Sequence, residues 1–193
     1  MELDEPPINP AEIAALVRRS GKPIVLVGMM GVGKSSVGRR LAHALGFGFV
    51  DADDAIEEAA QMTIPEIFAT YGEAYFRDGE RRVIQRLMAE AAGGRPLVIA
   101  TGGGAFVNPE TRALILAKGI AVWLDSDVDT LVERVGRKGN RPLLQGGDPR
   151  EILERLRAER QPAYAEAPIH VQSGNQPHAR TLATVMKGIA QWL

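Results

Sequence analysis

Gly28-Met29-Met30-Gly31-Val32-Gly33-Lys34-Ser35 follows a short apolar run, Ile24 to Val27, and precedes a segment with helical spacing at Val37, Leu41, Ala44 and Leu45. The stretch fills every fixed position of G-x-x-x-x-G-K-[ST], and the flanking strand and helix are the context that motif requires. Its glycines let backbone N–H groups turn inward onto phosphate oxygens. The helix that follows adds its positive N-terminus. Lys34 is expected to reach the β/γ-phosphates, and the Ser35 hydroxyl to ligate Mg²⁺. A nucleoside triphosphate carrying one Mg²⁺ is therefore the expected ligand, held by Gly31, Val32, Gly33, Lys34, Ser35 and Ser36.

Working outward, strands alternate with helices. Phe47 to Val50 reads as a second strand delivering Asp51, and Asp53 to Ala60 as helix. Thr63-Ile64-Pro65-Glu66 has capping-box spacing with proline just inside a helix through Phe68, and more helix follows near Asp78 to Ala92. Leu97 to Thr101 is a strand ending in Gly102-Gly103-Gly104. Asn108-Pro109 opens a helix that stops before Gly119, and Ile120 to Leu124 is a strand. Ser126-x-x-Asp129 is expected to cap the next helix. Gly136 to Gly147 reads as a mobile loop, and Asp148-Pro149 starts a helix carrying Arg155, Arg157 and Arg160. Ile169 and Val171 suggest a last strand, and Leu182, Val185, Met186, Ile189 and Leu193 should pack on the core. This alternation argues an α/β fold with a mostly parallel sheet. Such sheets bind ligands at strand C-terminal edges, so the triple glycine is expected to approach a ligand there.

The chain has 193 residues, enough for one domain with at most a small insert. Its 23 basic and 24 acidic residues nearly cancel, which argues against a polynucleotide partner. The cluster Arg134, Arg137, Lys138 and Arg141 points instead to a local anion site. With no cysteine, disulfides, thiolate zinc sites and cysteine nucleophiles are excluded. Met1 to Pro10 is acidic with no apolar run, so it does not read as a signal peptide. No apolar stretch approaches the roughly 20 residues that span a bilayer. A cytoplasmic enzyme is the default, with no membrane partner. Pro10 to Arg19 reads as a short helix with Ile13, Leu16 and Val17 on one face. His43, His170 and His178 have no ligand spacing and read as structural or surface residues.

Taken together, the phosphate loop, Asp51-Ala52-Asp53, Phe76-Arg77, Gly102-Gly103-Gly104, Arg141-Pro142-Leu143-Leu144 and Arg160-x-x-x-Tyr164 resemble shikimate kinase in order and spacing. The resemblance covers about Ile24 to Leu193. It implies a three-layer α/β/α P-loop kinase fold with a five-stranded, mostly parallel sheet and a mobile lid at about 136–148. A substrate-binding insert would lie at about 53–92 in a domain of residues 23–193, behind an N-terminal extension of residues 1–22. The implied reaction is phosphoryl transfer from ATP to the 3-hydroxyl of shikimate by a monomer. Arg77 and Arg160 match positions that hold the acceptor carboxylate, a task suited to the planar guanidinium fork. Asp53 matches the residue that grips the acceptor hydroxyls, positioning one first and acting as base second. Asp51 matches a residue associated with Mg²⁺, through a water. Alternation along an extended segment would put Asp51 and Asp53 on one side and Asp54 on the other. Arg141 matches a lid arginine over the transferred group, and Arg134 one that packs on adenine, with Pro177 beside it. Gly102, Gly103 and Gly104 would face the acceptor, and Tyr164 reads as structural. Glu80, three residues after Arg77, is placed to hydrogen-bond it. Gluconate, another polyhydroxylated carboxylate, is the alternative acceptor; the triple glycine and Arg-Pro-Leu-Leu favour shikimate.

Overall fold

Every residue of β1 (Ile24–Val27) is buried, and so is every residue of β3 (Leu97–Ala100) and β4 (Ile120–Asp125). Side chains alternate between the faces of a strand, so full burial means that helices cover both faces of the sheet. The computed structural model describes residues 9–136, 147–174 and 176–193. With β2 (Gly48–Asp51) and β5 (Ile169–Gln172), these strands form a five-stranded sheet in the order β2-β3-β1-β4-β5. All its pairings are parallel. The edge strand β5 alternates buried and exposed residues, as a half-covered edge should.

Helices α1 (Pro10–Ser20), α2 (Lys34–Leu45), α3 (Ala52–Ala60), α4 (Ile64–Ala92), α5 (Pro109–Lys118), α6 (Val128–Gly136), α7 (Pro149–Tyr164) and α8 (His178–Trp192) complete the described fold. α2 packs on β1, β2 and β3, and α8 packs on β5 and α2. α1 buries Ile13, Ala14 and Val17 against α2 and α8, and Leu16 is half-buried. The expected capping box is present: the Thr63 side chain accepts from the Glu66 N–H while Glu66 reaches back to Thr63 N–H.

Three expectations need correction. The helical segments on either side of residue 72 are nearly continuous, and α4 is broken only at Gly72, whose φ of 82° and ψ of 175° are not helical. The cap of α6 is Asp127, not Ser126. The Asp127 carboxylate accepts from both the N–H and the hydroxyl of Thr130, at 2.8 Å each, whereas the Ser126 hydroxyl is buried without a partner among the described residues. Ser126 stands one residue too early to cover that N–H. Leu193 is 40% exposed rather than packed, because it lies beyond the last turn of α8. The loop expected at 136–148 falls mostly on residues 137–146, outside the described residues, and residues 1–8 of the N-terminal lead do so as well.

Candidate active site

The phosphate loop leaves the C-terminal end of β1, the central strand. Gly28 has φ of 137°, and a Cβ there would sit 2.3 Å from the Leu124 carbonyl oxygen of β4, so only glycine lets the loop start so close to its neighbour. The Lys34 ammonium donates to the carbonyls of Gly28 at 2.7 Å and Met29 at 2.8 Å, which curls the loop around its own cation. The Val32 side chain is buried. Its carbonyl accepts from the Ser173 hydroxyl at 2.8 Å and from Arg134 at 3.1 Å. Arg134 also donates to the carbonyls of Ser173 and Gly174, so it braces the phosphate loop against the segment between β5 and α8. The resulting cleft of about 380 Å³ is lined by Lys34, Ser35, Asp51, Asp53, Gly102 and Arg134, with Gly31, Gly33, Ser36 and Gly103 also on its wall. His178, the first residue of α8, lines it too, whereas its neighbour Pro177 is the exposed N-cap of that helix. Nothing in the spacing of the histidines announced that position.

Asp51 ends β2 and caps α3, its Oδ1 accepting from the Asp53 N–H at 3.1 Å while Oδ2 accepts from the Ser35 hydroxyl at 2.6 Å. Asp51 and Asp53 therefore do face the cleft together, and Asp54 is exposed. The reason is not strand alternation: α3 begins at Ala52, and the cap brings the first helical turn over the loop. Burial raises the pKa of Asp53 above its ordinary value, the charge of Asp51 adds to the rise, and Lys34 opposes it.

Gly102 and Gly104 make room for polar side chains, while Gly103 lies closest to the Met30 backbone nitrogen of the phosphate loop. A Cβ on Gly102 would lie 2.7 Å from Asp53 Oδ1 and 3.2 Å from Glu80 Oε1; on Gly103, 3.4 Å from an Arg160 terminal nitrogen; on Gly104, 2.5 Å from one of Arg77. The triplet thus lets carboxylates gather at one end and guanidiniums at the other. Arg77 donates to Glu80 Oε2 at 2.7 Å, as expected from their spacing, and also pairs at 3.5 Å with the exposed Glu73. Glu80 is 1% exposed, and burial raises its pKa while Arg77 opposes the rise. Arg77, Gly104 and Arg160 line a second pocket alongside the cleft. Tyr164 is structural as expected: it is buried, its hydroxyl donates to the Gly103 carbonyl, and burial pushes its pKa up to about 12. The Gly104 contact gives a sharp expectation. In Gly104→Ala the mobile guanidinium of Arg77 yields rather than the backbone, so the fold survives while KM for the acceptor rises about tenfold or more and KM for the nucleotide stays put, as steady-state kinetics would show.

The metal-binding expectation fits the donor set. Ser35 and Asp51 offer hard oxygens side by side at the start of α2. Among the described residues no group of three or more His, Cys, Asp or Glu could hold a metal alone. Mg²⁺ takes one or two protein oxygens and completes its shell with water and substrate phosphates. Arg141 lies outside the described residues, as do Arg137 and Lys138 of the basic cluster.

A parallel sheet of order 2-3-1-4-5, a phosphate loop on its central strand and an arginine-lined pocket beside it together define a P-loop kinase acting on a small acid. The chain belongs to the shikimate kinase family, whose model, described as shikimate kinase, matches residues 30–191. A shikimate kinase of Novosphingobium aromaticivorans is 64% identical over 193 residues, covering 100% of both chains. A shikimate kinase from Acinetobacter baumannii solved in complex with shikimate superposes with a TM-score of 0.79 at 40% identity, over 89% of this chain and 93% of that one. A gluconokinase from Sinorhizobium meliloti reaches a TM-score of 0.57 at 19% identity over 89% of this chain and 93% of its own, a likeness of fold alone. Among the described residues no helix is long and apolar enough to cross a membrane.

Proposed function

We infer that this chain transfers the γ-phosphoryl group of ATP to the 3-hydroxyl of shikimate, giving shikimate 3-phosphate and ADP. One observation supports the site assignment: Asp53 lines the same cleft as Lys34 and Ser35, and Asp53, Arg160 and Arg77 lie next to Gly102, Gly103 and Gly104 in turn. An acceptor whose carboxylate meets Arg77 and Arg160 then turns its ring hydroxyls toward Asp53. The hydroxyl oxygen forms a bond to the γ-phosphorus as the bond to the β-phosphate oxygen breaks, and its proton passes to Asp53. A pKa raised by burial makes Asp53 a better proton acceptor than an exposed aspartate. Positioning of the two reactants supplies much of the rate.

Lys34 leaves its carbonyl partners for the β/γ-phosphates and offsets their charge. Ser35 and Asp51 are the residues that would hold Mg²⁺, which when bound neutralises charge on the phosphate oxygens. Arg134 has a guanidinium in the cleft and is assigned to the adenine side with Pro177. Arg141 is assigned to the transferring group by its motif. A cytoplasmic monomer completes the proposal.

The test is an ADP-release assay with Mg²⁺ and ATP over a panel of acids. Shikimate is turned over and gluconate is not. Turnover of gluconate alone would overturn the acceptor assignment and leave the kinase fold standing.

A further inference from the structure

Leu153, Arg157, Arg160 and Tyr164 share one face of α7, at spacings i, i+4, i+7 and i+11. Leu153 and Tyr164 are buried, and Arg160 lines the acceptor pocket. One terminal nitrogen of Arg160 is buried with no hydrogen-bond partner among the described residues, and the Tyr164 hydroxyl interacts with the same guanidinium group. Anchors stand on either side of it. One turn further on, Tyr164 donates to the carbonyl of Gly103, the glycine against which Arg160 packs. One turn earlier, Arg157 lies 3.3 Å and 3.2 Å from the two oxygens of Asp125. Neither Arg157 nor Asp125 lines the cleft or the acceptor pocket.

Asp125 is the last residue of β4 and only 6% exposed. Besides Arg157 it accepts from the Ser126 N–H at 2.9 Å and from the Gln172 amide at 3.0 Å, and the His170 ring lies 3.4 Å away. One carboxylate therefore ties α7 to the C-terminal ends of β4 and β5. Loss of Arg157 would deprive this buried carboxylate of its guanidinium partner, which is the costly half of breaking such a pair.

We propose that Arg157 and Asp125 are positioning residues for the phosphoryl acceptor: their ion pair fixes the rotation and height of α7, and so aims Arg160 at the acceptor carboxylate. The inference rests on the reading of Arg160 as a carboxylate-binding residue. It separates the two substrates, since α7 contributes nothing to the lining of the nucleotide cleft.

The experiment compares Arg157→Met, which keeps an apolar stem of similar length, with Arg157→Lys, Arg160→Ala and the double variant Arg157→Met/Arg160→Ala. Both Michaelis constants and Tm are measured for each. Arg157→Met raises KM for shikimate about tenfold and leaves KM for ATP unchanged, the size expected of a small misplacement of a binding group. Arg157→Lys, with a cation still facing Asp125, recovers most of the loss. The double variant binds shikimate no worse than Arg160→Ala alone, because Arg157 has no aim left to correct. A Tm loss in Arg157→Met with unchanged KM for shikimate overturns the proposal and leaves the pair a fold element only. So does a penalty from Arg157→Met that persists in full in the Arg160→Ala background. Arg160→Ala with an unchanged KM would instead remove Arg160 from the acceptor site, and the inference with it; that failure shows in the single variant.

Discussion

Lys34→Ala is expected to lower turnover by about a thousandfold or more while the chain still folds, the scale on which loss of a group that stabilises transition-state charge is felt. Lys34 is 9% exposed, and its ammonium donates to the carbonyls of Gly28 and Met29. That arrangement holds a cation at the centre of the phosphate loop. The cation contributes little where charge is static and screened, and most where charge builds on the transferring phosphoryl group in a site closed to water. The alanine variant keeps the other contacts that fix the loop: the Ser173 and Arg134 bonds to Val32 and the close seat of Gly28 on β4. Circular dichroism should therefore be unchanged and Tm close to wild type, with kcat lost. Wild-type turnover in this variant would remove Lys34 from the chemistry.

Asp53→Asn should lower kcat/KM for shikimate by about a hundredfold or more, the scale of a lost general base that also positions its substrate. ATP affinity, read by calorimetry, should change little. Two further effects separate this from a generic defect. In the wild type the raised pKa means that the carboxylate is lost on acidification at a higher pH than an exposed aspartate would lose it, so the acid limb of kcat/KM is displaced upward; the asparagine variant lacks that limb. Stability moves the other way. A carboxyl whose pKa is higher folded than unfolded contributes fully below the unfolded value, and that contribution is lost as pH rises through the folded value. At neutral pH the charge of Asp53, close to Asp51 and Glu80, is a liability of the folded state, so Asp53→Asn should raise Tm while it removes activity. An unchanged kcat/KM would take Asp53 out of the site.

What the sequence made legible was local. The phosphate loop is one contiguous motif between a strand and a helix, and the caps at Thr63, Asn108 and Asp148 are decided within four residues. Strand alternation with helices was enough for the sheet class, although only the structure gives the order of strands. The arginines were different. Neither Arg77 nor Arg160 differs in sequence from a surface helix arginine, and the family resemblance picked them out; their convergence on Gly104 and Gly103 is a fact of the fold. Arg134 shows the limit clearly. It was expected at the adenine and also braces Val32, a partner 102 residues away that no local pattern encodes. The Ser173 bond to the same carbonyl spans 141 residues. Asp125 and Arg157 were invisible for that reason as well: an acidic residue at a strand end gains its meaning only when α7 is laid across it. The Asp51 and Asp53 reading reached the right pairing by the wrong route, because a helix cap was taken for an extended segment.

The central claim is that Asp53 receives the acceptor hydroxyl while Arg77 and Arg160 hold the carboxylate at the far end of the glycine turn. Regiochemistry tests it most directly. With ATP, Mg²⁺ and shikimate, nuclear magnetic resonance of the product should show a single phosphate ester, at the 3-hydroxyl, formed in step with ADP. Ester formation at another ring hydroxyl, or ADP release with no phosphorylated acid, would contradict the geometry proposed for the site.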